Sequence, residues 1–287
     1  MNNLNLVLPE IFISISIMFL LVLGVFKKDS SKLIFNISLI VLFITLIITF
    51  NETFAINRKT LFNDSVVIDY MSSLMKIITL IATFLVLVIS SSYLKTTKIF
   101  KIEYPILILS SVLGMLIMIS SNDLIVFYMG LELQSLALYV LATFNRDKLK
   151  SSEAGLKYFV LSALSSGLLL YGCSLVYGFS GSTNFDVISN QLNSNEYVLT
   201  FGIVFILVGL AFKISAVPFH MWAPDVYEGS PTSVTLFFTM VPKIAALTVF
   251  IRFLYVPFSN LVDQWQMIIV FLSIASMIFG AVAAIGQ

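Results

Sequence analysis

Nine long apolar runs follow one another along this chain, at roughly 6–26, 33–51, 68–94, 103–120, 122–144, 153–178, 198–220, 231–254 and 264–286. About 20 consecutive apolar residues are needed to cross the hydrocarbon core of a bilayer as a helix. Nothing else in the sequence constrains the fold as much. Within lipid every backbone N–H and C=O must find a partner inside the protein, so only helices and closed barrels can span. The alternating segments that mark a membrane barrel are absent. The composition agrees, with 59% hydrophobic and only 11% charged residues, against about 25% charged in a soluble domain. The expected fold is an all-α polytopic membrane protein with about nine transmembrane helices.

Loop charges set the expected orientation. Lys27, Lys28, Lys32, Lys95, Lys98, Lys101, Arg146, Lys148 and Lys150 fall in the loops after the first, third and fifth spans. Arg58, Lys59 and Arg252 fall in the opposite loops, and the 179–197 loop has no lysine or arginine. Basic loops stay on the cytoplasmic side, which puts the N-terminus outside and Gln287 inside. Met1 to Phe26 has no basic leader and no small-residue cleavage site, so it reads as a retained first span. The loops at 52–67 and 179–197 read as polar connections, the second rich in Gly, Ser and Asn. A net charge of +1 and the lack of a basic patch argue against a nucleic-acid partner. Cys173, the single cysteine, has no partner for a disulfide or a metal pair and reads as a small buried hydrophobe.

A few charges remain at membrane depth. Glu132 lies near the middle of the fifth span, Lys213 lies in the seventh, and Lys243 is close to the centre of the eighth. A central charge costs about 2.5–3.5 kcal/mol on insertion scales. Glu132 and Lys243 cannot snorkel easily, because each end of the helix is about 15–18 Å away at 1.5 Å per residue. They read either as a buried structural ion pair or as sites on a proton or ion path. Lys76 and Asp123, nearer helix ends, are expected to snorkel to an interface. Lys157 either does the same, pairs with Glu153 four residues earlier, or joins the path. A free lysine titrates near 10.4. Burial in general favours the neutral amine and a nearby carboxylate favours the ammonium. A lysine that gains and loses a carboxylate partner therefore takes up and releases a proton. Glu132 and Lys213 suit such a couple, with Lys243 as the next acceptor.

The seventh span adds a structural signal. In "AFKISAVPFHMWAPDVYEGSPT", Pro218 removes a backbone donor and clashes with the carbonyl of Ile214, beside the lysine. The helix should kink or break there, and such irregularity persists in a membrane only where it is buried in protein or lines a cavity. Pro242, just before Lys243, is expected to act in the same way. His220 reads either as a relay or as a satisfied structural group. Ser162, Ser165 and Ser166 read first as helix-packing residues, and otherwise as holders of water on a path. No phosphate loop, dinucleotide fingerprint, Cys/His cluster or nucleophile elbow is present in the sequence.

Three segments, "GLELQSLALYVLATF" (130–144), "EAGLKYFVLSALSSGLLLYGCSLVYG" (153–178) and "FKISAVPFHMWAPDVYEGSPTSVT" (212–235), resemble the antiporter-like membrane subunits of proton-pumping NADH:quinone oxidoreductase, respiratory complex I. Multisubunit sodium/proton antiporters carry a similar lysine–proline–histidine segment, in different surrounding wording. The resemblance implies a three-helix segment over 1–101, a five-helix proton-translocating unit over 102–255 with a broken seventh helix, and the first helix of a second unit over 256–287. It matches Glu132, Lys157, Lys213 and Lys243 to the family's proton-path residues. The family's setting is a bacterial cytoplasmic or mitochondrial inner membrane, with the lipid bilayer, protons and the other membrane subunits of the complex as partners. NADH, FMN, iron–sulfur clusters and quinone belong to those partner subunits. The resemblance implies no cofactor, metal or redox site in this chain, which acts as one subunit of a translocase.

The family continues beyond the equivalent of "GAVAAIGQ" into a second unit, so the chain is expected to be a fragment or one part of a split gene. Two other readings stay open from the residues alone. One is a component of a multisubunit cation/proton antiporter. The other is a scaffold whose buried charges only fix helix packing, in which case removing Glu132 and Lys213 together is tolerated better than removing either one.

Overall fold

The computed structural model describes residues 4–27, 30–52, 58–97, 99–191 and 196–286. Lys28, Lys98, Gln287 and 192–195 of the long polar loop lie outside the described residues. Nine helices match the nine apolar runs: α1 (Leu8–Phe26), α2 (Ser31–Glu52), α3 (Tyr70–Thr96), α4 (Glu103–Ile119), α5 (Leu124–Ala142), α6 (Leu149–Ser180), α8 (Glu196–Ile214), α10 (Thr232–Tyr255) and α11 (Val262–Gly286). Two short helices, α7 (Phe185–Gln191) and α9 (Trp222–Gly229), fall between them. Seven of the nine are long and apolar enough to cross a membrane, while α4 and Leu199–Ile214 of α8 are shorter apolar helices. The chain is an all-α polytopic membrane protein.

Local chemistry sets several helix ends. Asp69 and Ser72 form a capping box at the start of α3, each side chain taking the other's backbone N–H, which satisfies two orphan donors. Asp123 was expected to snorkel. It instead caps α5 by accepting from the N–H groups of Ile125 and Val126. Gly181, at φ +67°, closes α6 in the left-handed conformation that suits glycine at a C-cap. The core then follows from close helix approach. A Cβ on Gly114 of α4 would sit 2.5 Å from the backbone nitrogen of Gln134 on α5. Small residues let membrane helices touch backbone to backbone, and this contact brings α4 and α5 together. Helix α6 packs on α5, α8 and α9, while α10 packs on α3, α4 and α8. Helix α11 leaves Phe271, Met277 and Ile278 exposed.

Other expectations need correction. The seventh span was expected to reach 220, and its helix stops at Ile214. Pro242 lies inside α10, which runs unbroken from Thr232 to Tyr255. Pro242 and its neighbours Val241 and Ala245 are buried, a setting in which neighbouring helices let membrane helices tolerate proline. The 52–67 loop contains a hairpin, β1 (Lys59–Leu61) paired antiparallel with β2 (Val66–Ile68), too short to leave a pattern in the sequence. Lys76 does not snorkel. It is buried and pairs with the buried Glu10 of α1 at 2.5 Å. Arg252 is not a loop charge: it is buried in the last turn of α10 and bonds Asp69 at 2.8 Å. Burial works against the charge on Asp69, but the Arg252 guanidinium and Ser72 hold its carboxyl below the usual range.

The two ends of the bundle differ. At one, Lys32 and Lys95 line a common cleft, and Lys101 and Arg146 line another. At the other, the hairpin bonds to 120–122 through Val67 N–H to Ser120 O and Asn122 N–H to Ser65 O. There Arg58 grips Asp186 with two bonds of 2.8 and 2.6 Å.

Candidate functional site

Lys213 occupies the last turn of α8 and is 8% exposed. The helix ends one residue later by a specific pattern. The N–H of Ser215 reaches Phe212 O at 3.1 Å and that of Ala216 reaches Ala211 O at 2.9 Å, the paired bonds of a Schellman ending. Ser215 stands at φ +61°, the position where glycine is usual. Freed backbone groups find partners nearby: Trp222 Nε1 donates to Phe212 O at 2.9 Å, and Val217 N–H donates to Ser276 Oγ on α11 at 3.0 Å. Pro218 lies in the turn that follows, after a cis Val217–Pro218 peptide. A cation at a helix C-terminus is favoured by the carbonyl dipoles.

The lysine's partners are hydroxyls. Nζ donates to Ser135 Oγ of α5 and to Ser162 Oγ of α6, both at 2.7 Å. Tyr139 also donates to Ser162 Oγ, at 2.7 Å, and Lys213 Nζ lies 5.9 Å from the Tyr139 ring centre. Ser135 donates its own hydrogen bond to Leu131 O at 2.7 Å, which turns its lone pairs toward the ammonium. Glu132 is engaged separately: Ser166 of α6 donates to its Oε1, with the Tyr128 hydroxyl 3.5 Å from Ser166 Oγ. The expected couple therefore shares one polar seam between α5 and α6. Among the described residues no salt bridge joins its two members.

The other expected site residues sit apart from this seam. Lys157 is partly exposed and pairs with Glu153 at 2.8 Å and with Asp225 of α9 at 2.7 Å. Its neighbour Tyr158 stacks on Trp222 at 4.6 Å and meets Tyr139 edge-on at 5.0 Å, so aromatic rings stand next to both the surface cluster and Lys213. Lys243 is half-buried, with Nζ 5.5 Å from the Tyr227 ring centre. No hydrogen bond joins it to Lys213 among the described residues. His220 packs its ring on Phe279 of α11 at 4.4 Å, and its buried Nδ1 has no hydrogen-bond partner among the described residues. Ser165 is buried beside a cavity of about 170 Å³ that Phe212, Pro218 and Trp222 also line.

Sequence reasoning missed Ser135, Tyr128 and Tyr139. A usable signal was present, since Tyr128, Glu132, Ser135 and Tyr139 follow one another at spacings of three or four and share one helix face. Ser162 and Ser166, read first as packing, are hydrogen-bond partners of the two charges. No cluster of three or more His, Cys, Asp or Glu side chains among the described residues is arranged to hold a metal ion.

The family described as NADH:quinone oxidoreductase/Mrp antiporter, TM, matches residues 121–287. NADH-quinone oxidoreductase subunit N of Pelagibacter ubique is 74% identical over 287 residues, which is 100% of this chain and 61% of that protein. A chain of respiratory complex I from Thermus thermophilus superposes with a TM-score of 0.74 at 28% identity, over 85% of this chain and 52% of that one. A chain of the Mrp complex from Dietzia superposes with a TM-score of 0.85 over 99% of this chain and 55% of that one, and at 21% identity this likeness is one of fold alone. The chain spans about three fifths of the length of the curated relatives it matches.

Proposed function

We propose, for a chain that belongs to the NADH:quinone oxidoreductase/Mrp antiporter transmembrane family, the role of a proton-translocating unit in a membrane subunit of NADH:quinone oxidoreductase. The observation that carries this reading is Lys213, buried at the end of α8 and held by hydroxyls one turn from Glu132. An intramembrane ionisable pair that is neither exposed nor locked in a salt bridge is suited to exchange protons. Electron transfer from NADH to quinone, with FMN and iron–sulfur clusters, takes place in other subunits. This chain's residues move protons in response. The unit comprises 102–255, preceded by a three-helix segment over 1–101 and followed by the opening helix of a second unit over 256–287. Lys243 is the next acceptor, and Lys157, with its exposed carboxylate partners, is the entry at the basic end. His220 takes part at the break. The basic end faces the cytoplasm or matrix, which puts the N-terminus outside.

The test is proton translocation coupled to NADH oxidation in the assembled complex. Lys213→Ala and Glu132→Ala should each lower it while assembly persists, and full pumping in both variants would overturn the roles. The family also includes the Mrp antiporters. Sodium-dependent proton exchange without NADH or quinone would assign the chain to that class instead.

A further inference from the structure

We propose that Ser135 and Ser162 are positioning residues that hold Lys213 away from Glu132, while Ser166 holds the glutamate. This rests on reading the two charges as a proton-transfer couple. Glu132 and Ser135 share one face of α5, as Ser162 and Ser166 share one face of α6. The lysine has taken the Ser135 and Ser162 hydroxyls and the glutamate has taken Ser166. A direct pair would be favoured strongly in a low-dielectric interior, and a permanent pair could not exchange its proton. The hydroxyl oxygens offer the ammonium hydrogen bonds without supplying a negative charge. They therefore reduce the preference for the closed pair, so that the open and closed arrangements lie closer in energy.

The cradle is also preorganised. Leu131 O accepts the Ser135 hydrogen bond, and the Tyr139 hydroxyl donates to Ser162, so both serine oxygens are presented as acceptors. With alanine at both positions the ammonium keeps its cost of burial and loses these partners. The carboxylate of Glu132 becomes its best remaining acceptor.

The experiment uses the assembled complex in sealed vesicles, read as protons translocated per NADH oxidised. Ser135→Ala/Ser162→Ala should lower the yield by about tenfold or more, the scale set by losing a hydrogen bond to a charged group. Threonine at the same two positions, which keeps the hydroxyls, should restore it. Measured against the residual pumping of Glu132→Gln alone, the alanine pair should have no further effect, because no carboxylate competes for the lysine. Full pumping by the alanine pair would overturn the proposal. So would a loss of the same size in the Glu132→Gln background, which would mark a packing role. If the double variant fails to assemble, Ser135→Ala alone carries the same cycle. Lys213→Ala separates the two levels of the argument. Normal pumping there and in Glu132→Ala sinks the proton-transfer reading, whereas impaired pumping with an indifferent serine pair sinks the cradle alone.

Discussion

At the scale of single residues, the charges at membrane depth divide into those with a fixed partner and those without. Lys76 belongs to the first kind. Its side chain is 3% exposed, that of Glu10 is 8% exposed, and the two meet at 2.5 Å between α1 and α3. Removing one member leaves the other buried and uncompensated, at a cost of about 3–5 kcal/mol, whereas replacing both by apolar residues of similar volume is often neutral. Glu10→Leu and Lys76→Met are each expected to lower the thermal stability of the solubilised protein sharply, and the double variant should recover most of it. A double variant as unstable as the sum of the singles would show that the pair does not act as a unit. The sequence marked Lys76 as anomalous, but its partner is 66 residues away and nothing in the local spacing points to it. The same holds at the candidate site. Glu132 and Lys213 stood out by their cost in lipid, while which hydroxyls hold which charge became visible only when α5, α6 and α8 came together.

At the scale of elements, apolar run length located the nine long helices, because the bilayer imposes it directly. Helix endings depend on finer chemistry and were legible in part. Pro218 marked a break near Lys213, but the helix ends by the bonds of Ser215 and Ala216, three residues before that proline. Pro242, with the same local signature, sits in an intact helix because its surroundings are packed. Proline shows where a bond is lost, and tertiary contacts decide whether the helix survives. Ser215 offers a test of the ending itself. At φ +61° an L-residue carries a cost of about 1–2 kcal/mol that glycine escapes. Ser215→Gly should therefore hold or raise thermal stability and keep proton translocation. Ser215→Val, with a branched Cβ at a positive φ, should lower both, since Lys213 is two residues upstream. A valine variant with unchanged pumping would show that the ending does not position the lysine.

At the scale of the whole molecule, the alternation of helices gives the bundle two chemically distinct ends, and the buried Arg252 sharpens the contrast. With Arg252 of α10 buried and paired to Asp69 at the start of α3, only Arg58 and Lys59 remain as basic loop residues at the hairpin end. The clefts at the other end are lined by Lys32, Lys95, Lys101 and Arg146. Positive charge is retained on the cytoplasmic side, so the Lys148 end should face inward and the hairpin outward. Lys148 and Lys59 are both exposed and serve as reporters once Cys173, the sole cysteine, is replaced by alanine. In right-side-out vesicles a membrane-impermeant thiol reagent should label Lys59→Cys and spare Lys148→Cys. Inverted vesicles should give the opposite pattern. Labelling of Lys148→Cys from the outside would reverse the orientation and move the Lys157 cluster, with its carboxylates Glu153 and Asp225, to the side where protons leave. The proposed direction of proton transfer through Lys213 would then be reversed.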